Sequence, residues 1–80
     1  MKNKFVNIKW QDGVISKHGV NGAQVDDALK VIKDHLVEIN EDHPCKENRL
    51  TITAIDNAIN YQDMRTQDRV KRGVEGTNKK

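Results

Sequence analysis

Three arginines, Arg65, Arg69 and Arg72, recur at i, i+4 and i+7 near the end of the chain. On a helix turning about 100° per residue they fall at about 0°, 40° and −20°, a single narrow face. Guanidinium groups grip phosphate bidentately, so the chemistry this spacing offers is recognition of a compact anion. The segment from Gly73 to Thr77 follows, with flexible backbone N–H donors and a hydroxyl. Asp63 and Asp68 are expected to point away from the strip, leaving its charge intact. A solvated helix end, whose cations complement the negative C-terminal dipole, accounts for the same residues without a ligand.

The stretch CKENRL offers a second cationic cluster, with Lys46, Asn48 and Arg49 at the positive start of a helix. Plain N-capping explains it equally well, with Glu47 as a dipole-favoured first-turn acid. The two ends of one long helix cannot hold one small ligand. A second copy running antiparallel could bring its helix start beside these arginines.

Other chemistry finds little support. His18, His35, His43 and Cys45 lack any metal-ligand spacing, with no CxxC and no HExxH. Asp34 and Glu38 read as a solvated helix face rather than a catalytic carboxylate pair. No Ser, Thr or Cys has an evident base, so the chain reads as a binding protein and not an enzyme, without cofactor or metal. Phe5, Trp10 and Tyr61 are the only aromatics, too few for a sheet that stacks nucleic-acid bases.

The elements that must position these residues follow from periodicity. Residues 4–18 read as a β-hairpin, with Val6, Ile8 and Trp10 alternating onto one face and Asp12-Gly13 as the turn. From 24 to 40, Val25, Ala28, Leu29, Ile32, Leu36 and Ile39 trace a helical stripe, with Val31 and Val37 off it. Pro44 breaks that helix. A second runs over 45–72, carrying Ile52, Ile55, Ala58, Ile59 and Gln62, and stops at Gly73. A basic, Gly-containing tail covers 73–80. The expected fold is therefore α+β: one domain over 1–80, an N-terminal β-hairpin followed by an antiparallel two-helix hairpin. Eighty residues bury only a thin core, so the assembly is expected to be oligomeric.

Charge is unevenly placed. Residues 1–64 carry 8 Lys/Arg against 10 Asp/Glu, whereas 65–80 carry 6 against 2. A positive field confined to one end suits a small anionic ligand better than a long duplex. A single cysteine, Cys45, fits a reducing cytoplasm, and neither a signal peptide nor a membrane span is visible.

The runs GVNG…Q, PCKENRLTITAIDNAIN and RTQDRVKRGVEGT resemble a family of small phage proteins, the cyclic-nucleotide sponges. These are anti-CBASS proteins that sequester cyclic di- and trinucleotides, and anti-Thoeris proteins that sequester cyclic ADP-ribose isomers. The likeness spans about Phe5 to Thr77. Its most specific part pairs C[KR]EN with a downstream RTxxRxxRGVEGT. The resemblance implies a host-cytoplasmic phage protein that hides a bacterial immune messenger without altering it, as a homo-oligomer, dimer or hexamer, with pockets between subunits. It further implies that Asn48, Arg65 and Arg69 line the pocket, and by extension Arg72, Gly73 and Thr77. Lys46 stands where the motif commonly has arginine, and Tyr61-Gln62 where a Trp-containing pair is expected, so the messenger is left open. The alternatives are a small nucleic-acid-binding regulator using the C-terminal basic helix, and an adaptor that blocks a host enzyme.

Overall fold

A computed structural model describes residues 3–79. Met1, Lys2 and Lys80, the last belonging to the expected basic tail, lie outside the described residues. Three helices follow in order: α1 (Ile15–His18), α2 (Val25–Asp42) and α3 (Lys46–Lys71). The last two pack on each other through a link of three residues, which forces them antiparallel. The fold is a helical hairpin.

Each helix boundary has a local cause. Gln24 and Asp27 form a capping box at the start of α2, where the Gln24 amide donates to Asp27 Oδ2 at 2.9 Å. The helix runs two residues past Asn40, to Asp42, before Pro44 ends it. Cys45 caps α3, its Sγ accepting from the Asn48 amide at 3.4 Å, while its own N–H donates to Asn40 Oδ1. At the far end Gly73 takes φ +72. Its N–H donates to the Val70 carbonyl and that of Val74 to the Arg69 carbonyl, the two bonds of a Schellman motif. That turn folds the tail back.

The β-hairpin expected over 4–18 does not form, and the α+β class is corrected to a helical one, with no sheet among the described residues. Trp10 makes only an isolated parallel bridge to Ala23. Ala23 N–H donates to the Lys9 carbonyl at 2.7 Å, and Gln11 N–H to the Ala23 carbonyl at 2.8 Å. The reason lies in two side-chain amides. Asn21 clasps both backbone groups of Asp12, and Gln11 donates to the Gly19 carbonyl while accepting from the Asn21 amide. These bonds satisfy the loop backbone without a second strand. Val14 and Ile15 then enter the single turn of α1 rather than resuming a ladder.

Residues 52, 55, 58, 59 and 62 of α3 are half-buried, as are Ala28, Leu29, Leu36 and Val37 of α2. Val37 thus joins the inner face, while Ile32, expected inside, is 50% exposed. Lys33 Nζ and Asp56 Oδ1 add a 2.6 Å ion pair across the two helices. Among the described residues no apolar side chain is fully buried. The chain measures 44 × 30 × 14 Å, and its 15.4 Å radius of gyration exceeds the about 12 Å of a compact domain this long. It is a thin, two-helix slab.

Candidate ligand-binding site

The tail carries the site's framework. Arg69 is the one buried residue among those described, with 9% exposure. Its Nη2 donates to the Val74 carbonyl at 2.9 Å and to the Thr77 carbonyl at 3.0 Å, and its Nε lies 3.5 Å from Glu75 Oε2. Thr77 closes the loop on itself, its N–H and hydroxyl both directed at the Val74 carbonyl. Ser16 N–H donates to the Gly76 carbonyl at 2.9 Å, stitching the tail to α1. The tail is a built wall. The flexible strand of donors expected from the sequence is replaced by a loop whose polar groups are largely committed.

The three arginines therefore differ. Arg69 is directed into its own chain. Arg72 Nε pairs with Asp68 Oδ2 at 3.0 Å, which corrects the expectation that Asp68 points away from the ladder. Glu75 likewise faces Arg69, so the strip is not free of acid. Arg65 is exposed and makes no ion pair or hydrogen bond among the described residues. Its guanidinium stands at the surface without a partner among the described residues.

Two clefts meet at Arg65. One, of about 360 Å³, is lined by Trp10, Gln11, Gln24, Asp26, Arg65 and Glu75 among others. The other, of about 150 Å³, is lined by Gln11, Gln24, Arg65, Arg69, Glu75 and Thr77 among others. Their electrostatics are opposite. The smaller sets two guanidiniums against one carboxylate, and the larger sets one guanidinium against two carboxylates. An anion is favoured in the first and hydrogen-bond donors in the second.

Of the sequence-named residues, the structure brings together Arg65, Arg69 and Thr77. Gly73 acts at the helix stop, and Arg72 lines neither cleft. Asn48 sits in the first turn of α3, 17 residues from Arg65. That is about 26 Å along the axis. Gln11, Gln24 and Glu75 were missed. The signal for Glu75 was present, a lone acid between two glycines in an otherwise basic end. Gln24 closes the GVNG…Q run quoted for the resemblance, and Gln11 carried no signal. Trp10, set aside as a weak aromatic, lines the larger cleft.

Comparison with known proteins agrees with this architecture. The model of the Acb2/Tad1 hairpin domain matches residues 1–67. The chain is similar to Thoeris anti-defense 1 of Bacillus phage SBSphiJ7, with 33% identity over 78 residues, 96% of this chain and 55% of that protein. It thus spans about half the length of the curated relative it matches. With a hairpin geometry and a family model matched over most of its residues, the chain belongs to the Acb2/Tad1 hairpin-domain family.

Proposed function

We propose that this protein is a non-catalytic phage sponge, acting in the host cytoplasm, that sequesters immune signalling nucleotides and so suppresses CBASS or Thoeris defence. Its ligands are cyclic di- or trinucleotides or cyclic ADP-ribose isomers. The observation that carries the reading is the pair of adjoining clefts of opposite polarity sharing Arg65. A nucleotide has the matching two-part chemistry: phosphates on one side, a donor-rich sugar and base on the other. Phosphate occupies the cleft between Arg65 and Arg69, with Thr77 at its wall; Gly73 and Arg72 set the turn that frames it. Similarity to a Thoeris anti-defense protein supports the choice of an immune messenger.

The working unit is a homo-oligomer, dimer or hexamer. Val25, Ile32 and Ile39 recur every seven residues along the outer face of α2 and remain substantially exposed. Phe5 (86% exposed) and Val31 (70%) border the same face, around an apolar groove of about 830 Å³. A second copy covering that face gives the slab the core it lacks. Asn48 reaches a pocket only from such a copy, because α3 holds it far from its own Arg65.

Thermal-shift screening against cyclic dinucleotides, cyclic trinucleotides and cyclic ADP-ribose isomers tests the reading. A tight ligand raises the melting temperature. A flat response across the panel favours the host-enzyme adaptor. The nucleic-acid alternative separates by salt, since duplex binding through 6–10 phosphates weakens about 10³–10⁵-fold between 50 and 200 mM. The pairing of Arg69 and Arg72 with Glu75 and Asp68 disfavours it, because the basic face shrinks.

A further inference from the structure

We infer that Glu75 is a specificity-determining residue: its carboxylate, aimed by Arg69, accepts hydrogen bonds from the ribose hydroxyls of the bound nucleotide. This deepens the proposed function and rests on it. Glu75 lines both clefts, as Arg65 does, so the carboxylate and the unpaired guanidinium flank one junction. Its backbone is held from both sides. Val74 is bonded to Arg69 at both its N–H and its carbonyl, and the Gly76 carbonyl accepts from Ser16. Its side chain is about one-third exposed (32%), with Oε2 against Arg69 Nε.

Acceptor capacity is left over. A carboxylate offers about four lone-pair sites. Among the described residues, Oε2 is paired with Arg69 and no hydrogen bond reaches the other oxygen. Were neutralising Arg69 the whole purpose, burial of the pair would serve; instead the carboxylate stays open to both clefts. A negative group beside a phosphate site repels a bare anion and favours a ligand that brings donors beside its phosphate. A ribose hydroxyl beside a phosphodiester does this, and a carboxylate gripping ribose hydroxyls is an established solution in dinucleotide-binding folds. Arg69 acts here as a positioning residue, since its three contacts set where the carboxylate stands.

The test uses Glu75→Gln, which keeps size and shape but removes the charge. Calorimetry measures wild type, Glu75→Gln and Arg65→Ala against cyclic ADP-ribose and cyclic di-AMP, each beside a counterpart whose ribose hydroxyls are replaced by hydrogen. The proposal predicts that Glu75→Gln weakens a hydroxyl-bearing probe tenfold or more and its counterpart less than twofold. Arg65→Ala weakens both members of a pair by the same factor, because it serves the phosphate. Equal loss for both members in Glu75→Gln, or no loss in either, overturns the role of Glu75 and leaves the sponge reading standing. Failure of wild type to bind these four or any other cyclic dinucleotide, cyclic trinucleotide or cyclic ADP-ribose isomer overturns both.

Discussion

Arg69 and Glu75 face each other across the end of α3, with Nε 3.5 Å from Oε2. They are six residues apart, beyond the i, i+4 reach of a helix face. Only the Schellman turn at Gly73 brings them together. The pair therefore reports on the folded tail rather than on the helix. Arg69→Ala removes two hydrogen bonds from a charged donor, each worth about 1.5–3 kcal/mol where buried. Hydrogen exchange at the Thr77 and Ser16 amides is expected to accelerate at least tenfold, while α2 keeps its protection. Arg69→Lys restores charge but not the rigid plane in which Nη2 serves two carbonyls while Nε faces Glu75, so exchange stays fast.

Arg65, the proposed ligand contact, and Arg72, paired with Asp68, are expected to behave differently. Arg65→Ala removes no intrachain bond among the described residues, so stability should change by less than about 0.5 kcal/mol. Affinity for a cyclic nucleotide should fall tenfold or more. Arg72→Ala breaks the exposed pair with Asp68, worth about 0.3–0.5 kcal/mol, and should leave affinity within threefold. Calorimetric titration and chemical denaturation of both variants check this, and equal loss of affinity in the two would remove Arg65 from its assigned place.

Gly22 carries a different constraint. A Cβ at that position would stand 2.5 Å from the carbonyl carbon and oxygen of Trp10. Backbone, not a pliant side chain, is the obstacle. Gly22→Ala should destabilise by about 1–3 kcal/mol, the usual range for overpacking. It should also shift Trp10 at the wall of the larger cleft, and indole fluorescence during urea denaturation reads both effects. An unchanged midpoint and spectrum would show that the contact yields.

The helical hairpin was legible in the sequence because periodicity, Pro44 and Gly73 all spoke for it together. The N-terminal segment was not. Val6, Ile8 and Trp10 alternate as a strand does, and Asp12-Gly13 is a fair turn, yet a hairpin needs its second arm. Asn21 and Gln11 satisfied that backbone from nine and ten residues away in the chain, which no local pattern records. In the site, helical spacing put Arg65 and Arg69 on one face. It could not tell the guanidinium turned to its own tail from the one left open, because that depends on how the chain folds back after Gly73.

Assembly has its own readout. If the outer face of α2 meets a second copy, melting temperature rises with protein concentration. Ile32→Glu should abolish that rise and release monomer in sedimentation, since Ile32 lies half-exposed on the groove. A melting temperature constant over a hundredfold dilution, with a monomeric mass throughout, would refute a second copy there.

In the proposed function, Arg65 helps this chain hold a cyclic nucleotide without changing it. Recovery of the guest tests that most directly. Protein is mixed with each cyclic dinucleotide, trinucleotide and cyclic ADP-ribose isomer, freed of unbound probe by filtration, denatured, and the released nucleotide weighed by mass spectrometry. The account predicts near-stoichiometric return of at least one intact cyclic probe from wild type, and at least tenfold less from Arg65→Ala. Retention of none of them, or release of a retained probe in cleaved form, would contradict it.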